Sequence, residues 1–246
     1  MPSDEEERRS LYQGRVVVVT GARKGVGWHV AKHFLDERAD VVGISRGEPS
    51  IEHDSYEHYS IDIGDNDAVR NAFADMARIH GKIDVLVNCA AVATSTYAFI
   101  MRTSAAEEMV STNMLGLLYV AREAAKYMQR AGYGRIVNMG SLHSRIAPVG
   151  ASMYAATKAG QAVLVEVLSK EFATYGITLN TLALSPIESD MLRASGTPDV
   201  IQKVIDGLTI PRLAEPEDVF NALDFFCSPQ SSFITGQTLF LGGVHG

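Results

Sequence analysis

Residues 15–27 read RVVVVTGARKGVG, a β-branched run that breaks into three glycines. Four successive valines with no polar alternation predict a strand covered on both faces, as in a parallel sheet. From about Val26 to Glu37 the apolar spacing turns helical. A strand that feeds a glycine-rich turn opening a helix exposes backbone N–H groups and the positive helix end together. Gly21, Gly25 and Gly27, with Val26 between them, let a diphosphate approach that backbone without Cβ interference. The spacing departs from G-x-G-x-x-G, so the match is to the mechanism and not to that pattern.

Outward from this unit, strands and helices alternate. DVVGIS (40–45) predicts a second strand, and HYSIDI, with its centre at Tyr59 to Ile63, a third. DNDAVRNAFADMARIHG (65–81) predicts a helix with acids in its first turn and Gly81 at its stop. DVLVN is a fourth strand, followed by one long helix from about Ser104 to Arg130. GRIVNMG is a fifth strand, Ser152 to Tyr175 a helix, and ITLNTLAL a sixth strand. PDVIQKVIDGL and PEDVFNALDFFC are two helices that begin at prolines, and QTLFLGG is the seventh strand. Between the second strand and Asp65 the chain is short and irregular, so a crossover helix is expected to be stunted or missing. The pattern predicts an α/β, single-domain, doubly wound fold: a seven-stranded parallel sheet with helices on both faces. The domain is expected to span 14–246, behind a polar leader of residues 1–13.

The bulk numbers exclude several classes. Lys and Arg total 22 against 29 Asp and Glu, a net charge of −7, which argues against nucleic-acid binding. No apolar run reaches membrane-spanning length, and MPSDEEERRS lacks the apolar core of a secretory signal, so a cytoplasmic protein is expected. Two cysteines cannot build a disulfide framework or a cysteine zinc site. Cys89, in VLVNCAA, reads as a buried small hydrophobe. His29 and His33 have metal-capable spacing but no third ligand in view, so no metal site is expected.

The end of the second strand bears on the ligand. An acid there would favour the free ribose of NAD(H); here the position reads Ser45-Arg46, with Arg23 and Lys24 in the glycine turn. Three cations near one expected phosphate favour NADP(H), with NAD(H) possible.

In SMYAATKAG (152–160), Tyr154 is the only one of nine tyrosines with a lysine four residues on. On a helix the two share a face. A free phenol is a reluctant proton donor, and a neighbouring cation such as Lys158 is expected to lower its pKa.

With these motifs in order, the chain resembles the short-chain dehydrogenase/reductases, most closely their 3-oxoacyl-carrier-protein reductase-like branch, from Gly14 to Gly243. The family's T-G-x-x-x-G-x-G is similar to Thr20–Gly27, its N-N-A-G to Asn88-Cys89-Ala90-Ala91, and its Y-x-x-x-K to Tyr154 and Lys158. Its helix asparagine corresponds to Asn113 and its serine, thirteen before the tyrosine, to Ser141. The resemblance implies that Asn113, Ser141, Tyr154 and Lys158 are catalytic, with Ser141 on the substrate oxygen and Asn113 positioning a water beside Lys158. It also implies cofactor contacts from Gly21, Arg23, Lys24, Gly25, Val26, Gly27, Ser45, Arg46, Asn88, Ala90, Tyr154 and Lys158, with Asp62 and Ile63 at the adenine. Ile187 and Ser189 would hold the nicotinamide carboxamide. Here the sequence departs from the family: Leu184-Ser185 replaces Pro-Gly, Pro186 follows it, and Ser189 replaces threonine. His143 and Met191 are expected to line the substrate pocket. A Ser-His hydrolase is disfavoured because no G-x-S-x-G surrounds Ser141. Residues 190–211 fall where the family places its substrate lid.

The implied activity is that of an NADPH-dependent ketoreductase acting on a small ketone or 3-oxoacyl substrate, with Tyr154 as general acid. The alternatives are an alcohol or sugar dehydrogenase working oxidatively, or a nucleotide-sensing regulator without turnover. The helices at 104–130 and 152–175 carry apolar residues on more than one face, so a homotetramer or homodimer is expected.

Overall fold

The computed structural model describes residues 10–193 and 197–243. Strand β1 (Val16–Thr20) lies at the centre of a seven-stranded parallel sheet. Beside it run β2 (Asp40–Ser45) and the edge strand β3 (Tyr56–Ser60). On its other side follow β4 (Val85–Asn88), β5 (Gly134–Ser141), β6 (Ile177–Leu184) and β7 (Thr238–Phe240). The strand order is 3-2-1-4-5-6-7. The order reverses between β1 and β4, and in such sheets the crevice at the strands' C-terminal ends is where ligands bind.

The valine run of β1 divides between two cores. Val16 and Val18 pack with α2 (Asn66–His80), α4 (Gly116–Ala131) and α6 (Ser152–Phe172). Val17 and Val19 pack on the opposite face with α1 (Gly25–Asp36) and α9 (Pro216–Cys227). Fully burying each valine contributes about 1.5–3 kcal/mol, so a polar residue at any of the four would be opposed by a core on one side.

Three elements differ from expectation. β3 begins and ends three residues before the expected 59–63, because Val41 pairs with Tyr56 and Ser45 with Ser60. Asp62 and Ile63 therefore stand in the turn after β3, where Asp62 Oδ1 accepts from the Gly64 N–H at 2.8 Å. The expected continuous helix 104–130 is α3 (Thr103–Met109), a π-helical segment (Val110–Leu115) and α4. The third difference lies at the start of the chain. Residues 1–9 of the expected leader lie outside the described residues, but Tyr12, also assigned to it, is 1% exposed and packs in the second core. Its hydroxyl donates to Asp224 of α9 at 2.7 Å. The irregular crossover between β2 and β3 carries no helix, as its sequence indicates.

Candidate active site

At the crevice, the glycines divide their work. A Cβ on Gly21 would meet the Ala90 nitrogen at 2.9 Å, and one on Gly27 the Gly21 carbonyl oxygen at 2.4 Å. Those two let the turn close on itself and on the end of β4. Gly25 is different: at φ +59° a Cβ there would meet nothing within 4 Å. Open space at the first residue of α1, with no side chain capping the helix, fits a diphosphate. Val26 packs partly against the second core. The floor of the turn is tied down by Thr20, whose hydroxyl donates to Asn88 Oδ1 at 2.8 Å and accepts from the Ala90 N–H at 3.1 Å.

The end of β2 gathers two of the expected cations. The Arg23 guanidinium lies over Gly47, its Nη1 3.0 Å from where a Cβ would sit. Arg46 extends the other way and pairs with Glu108 of α3 at 2.7 Å, both side chains being about half exposed. Ser45 Oγ lies 3.0 Å from His58 Nε2. Lys24 stands at the N-cap of α1. Ile63, 3% exposed, packs where a side chain on Gly116 would sit.

Ser141 ends β5, while Tyr154 and Lys158 share a face of α6. The Lys158 Nζ lies 5.9 Å from the Tyr154 ring centroid and donates to the Met139 carbonyl at 2.7 Å. Burial pushes Lys158 down to about 8, opposed by Cys89. Tyr154 was expected to be lowered by this ammonium; instead burial raises it, with a hydrogen bond from Ser141 pulling the other way. The reason is geometric: the ammonium stands over the ring and is anchored to Met139, while desolvation acts on the whole phenol. Cys89 packs against the second core, as expected of a small hydrophobe, and burial raises its thiol pKa. It lies just past β4, is partly exposed, and faces Lys158.

Asn113 is fully buried in the π segment. Its Oδ1 accepts from the Val92 N–H at 2.9 Å, and its Nδ2 donates to the Val92 carbonyl at 2.9 Å and Thr157 Oγ1 at 3.1 Å. Its carbonyl accepts from Gln161 Nε2 at 2.6 Å. The break from α to π geometry therefore sits where a buried amide clamps the loop after β4.

Beyond β6, the Ser185 hydroxyl donates to the Leu241 carbonyl at 2.7 Å. It ties the loop to the C-terminal segment, where the family resemblance would place Pro-Gly. Ile187 bridges to Ala214, and Ser189 Oγ donates to the Ile187 carbonyl at 3.2 Å. Met191 falls in a short helix, α7 (Asp190–Arg193), and its side chain lies outside the described residues. Of the expected lid, residues 194–196 also lie outside them; its second helix is α8 (Pro198–Asp206).

His143 lies beside Ser141 and Tyr154. Its Nδ1 is 3.3 Å from Ser141 Oγ, and its ring meets Tyr154 edge-on at 5.4 Å. His33, considered above for metal binding, is instead stacked on Phe220 and bonded to Asp224 at 2.9 Å. Sequence reading missed Gln161, Asn138 and Thr157. A signal was present: Gln161 stands three residues after Lys158 on the same helix face, and Asn138 interrupts the apolar stretch from Ile136 to Met139.

The family described as Enoyl-(Acyl carrier protein) reductase matches residues 21–245. A 3-oxoacyl-[acyl-carrier-protein] reductase of Chlamydia pneumoniae is 31% identical over 239 residues, covering 94% of this chain and 96% of that one. Among solved structures, the ligand-free aldohexose dehydrogenase of Thermoplasma acidophilum superposes with a TM-score of 0.87 at 28% identity, over 96% of this chain and 95% of that one. A gluconate 5-dehydrogenase of Burkholderia cenocepacia, in complex with NADP and tartrate, gives a TM-score of 0.87 at 25% identity, over 95% and 96%.

Proposed function

Because the chain belongs to the short-chain dehydrogenase/reductase family and is an NAD(P)-dependent oxidoreductase of C=O and CH–OH groups, we propose that it is an NADPH-dependent ketoreductase of a small ketone or 3-oxoacyl substrate. The observation that carries this reading is the convergence of Ser141, Tyr154 and the buried Lys158 at the crevice end of the sheet.

The open space at Gly25 and the uncapped start of α1 fit the diphosphate of a nicotinamide dinucleotide. Gly21 to Gly27 would cradle it, with Asn88 and Ala90 forming the floor. Arg23, Lys24, Ser45 and Arg46 would meet a ribose 2′-phosphate, Asp62 and Ile63 the adenine, and Ile187 and Ser189 the carboxamide. A bound nicotinamide supplies the hydride. Ser141 donates a hydrogen bond to the substrate oxygen as negative charge develops there. Tyr154 delivers the proton to that oxygen, a contribution of about 10²–10⁴-fold for general acid catalysis. Lys158 then stabilises the phenolate left behind. Asn113 fixes the segment at Val92 through its side chain, and its carbonyl keeps one lone pair for a water beside Lys158.

The likeness to the aldohexose and gluconate dehydrogenases supports a second reading, in which Tyr154 works in reverse as a base on a sugar or other alcohol. The lid region is short, which suits small or extended substrates. Among the described residues no helix is long and apolar enough to cross a membrane. The deciding experiment mixes protein with NADPH or NAD⁺ and a panel of ketones, 3-oxoacyl thioesters and polyols, following the reduced-nicotinamide absorbance. Turnover of polyols alone would replace the first reading with the second. Dinucleotide binding with no turnover on any member would leave the sensor instead.

A further inference from the structure

We infer that His143 is a positioning residue for the serine–tyrosine pair: its Nδ1–H donates to Ser141 Oγ and so turns the serine proton toward Tyr154 and the substrate oxygen. This rests on the reading of Ser141 and Tyr154 given above, and extends it to a residue outside the Ser-Tyr-Lys set.

A serine hydroxyl has one proton and two acceptor lone pairs. One lone pair of Ser141 faces the backbone N–H of His143 at 3.2 Å, and the other faces the imidazole Nδ1 at 3.3 Å. With both filled by donors from the same residue, the hydroxyl proton has only the opposite side left to it. The Tyr154 phenol is the neighbour with which that hydroxyl makes its hydrogen bond. The hydrogen bond between Ser141 and Tyr154 opposes the rise that burial imposes on the phenol, as a bond donated by the serine does. The other tautomer, with Nδ1 as acceptor, would draw the serine proton onto the imidazole and away from the reacting oxygen. Burial holds His143 below its usual range, so the ring stays neutral near pH 7. The ring is also braced: its plane lies 77° from that of Tyr154, edge to face. Aromatic contacts of this geometry resist rotation that would move Nδ1 off the serine.

The test compares His143→Leu with His143→Asn. Asparagine places an amide N–H near the position of Nδ1, whereas leucine fills the space without a donor. The first readout needs no substrate: the phenolate absorbance of Tyr154 across pH, taken as a difference against Tyr154→Phe. The titratable groups facing Tyr154 are His143 at its edge and Lys158 over its ring, with Cys89 next to Lys158. His143→Leu is expected to raise the phenol midpoint, and His143→Asn to return it close to wild type. The second readout is turnover: His143→Leu should lower kcat about tenfold, the scale of one lost hydrogen bond, with the cofactor Kd unchanged and the asparagine variant restored. An unmoved phenol midpoint in His143→Leu, or an asparagine variant as impaired as the leucine one, overturns the inference. Failure of the parent reading looks different, because Tyr154→Phe would then turn over at full speed.

Discussion

Gln161 donates its Nε2–H to the Asn113 carbonyl at 2.6 Å, and both residues are shut off from solvent. A backbone carbonyl only accepts, so this contact fixes the amide orientation of Gln161. Its Oε1 must then accept from Asn138 Nδ2, at 3.4 Å, and Asn138 Oδ1 from Asn88 Nδ2, at 3.0 Å. Asn88 Oδ1 accepts from Thr20, which itself accepts from the Ala90 N–H. One polarised chain thus runs beneath the crevice from the glycine turn to the π segment. It ties the surface that would hold the dinucleotide to the helix that carries Tyr154.

Gln161→Leu breaks that chain in its middle and removes the partner that Gln161 gives to Asn138 Nδ2 and to the Asn113 carbonyl. Each orphaned group costs about 1–3 kcal/mol. Urea unfolding should show the corresponding loss of free energy as a lower midpoint with an unchanged m-value. A second change, Asn138→Val, should cost less in the Gln161→Leu background than alone, because a half-satisfied network is worse than none. Strictly additive losses would show that the chain is not coupled.

Tyr154→Phe removes the proposed proton donor while preserving the ring that meets His143. Turnover should fall by about 10²–10⁴-fold, with NADPH binding retained in a fluorescence titration. Equal loss of binding and turnover would point to a packing role instead.

Much of this was legible from residue order alone. The four valines of β1 and the glycines after them announce the parallel sheet and its crevice, since a strand buried on both faces has no polar alternation. The Tyr154–Lys158 spacing places both on one helix face. What was not legible depends on contacts between distant segments. β3 is an edge strand whose limits follow from pairing with β2, so its own pattern set the wrong register. The π segment exists because Asn113 must reach Val92, a contact 21 residues away. The rise of Tyr154 turns on its burial, which outweighs the hydrogen bond from Ser141, and no spacing rule states that.

Lys158 carries a pH signature. Its folded pKa, about 8, lies below the ordinary 10.5 because burial penalises the charge. Below pH 8 both folded and unfolded chains hold the proton, and the folded state bears that penalty. As pH rises from 8 toward 10.5 the folded protein releases the proton first, so this residue's contribution to stability grows. Lys158→Met should abolish that gain: the wild type should improve relative to the variant between pH 7 and 9.5 in urea unfolding. A difference constant across that window would mean that the ammonium is solvated.

Cofactor choice should depend more on Arg23 than on Arg46. Arg46 is already engaged by Glu108, whereas Arg23 lies against the end of β2 at Gly47. Arg23→Ala is expected to weaken NADPH binding about tenfold while leaving NADH nearly unchanged, the scale of one charge-assisted contact to a phosphate. Glu108→Gln should tighten NADPH slightly, since an exposed ion pair is worth at most about 1 kcal/mol. Equal effects of Arg23→Ala on both dinucleotides would remove the 2′-phosphate assignment.

Val163 and Val167 lie one turn apart on the side of α6 away from Tyr154 and Lys158, and are 60% and 46% exposed. Leu115, the last residue of the π segment, is 40% exposed. Isolated exposed apolar residues are ordinary, but an i,i+4 valine pair on a helix whose other face is fully packed leaves an apolar stripe without a partner. A homodimer or homotetramer formed through α6 would cover it. Val163→Glu combined with Val167→Glu would place four charges at a two-fold contact, so light scattering should report a multimer for the wild type and a smaller species for the variant. The fold should persist, since neither valine enters a core. A wild type that runs as a monomer at working concentration would remove the subunit contact, and would leave the stripe as surface.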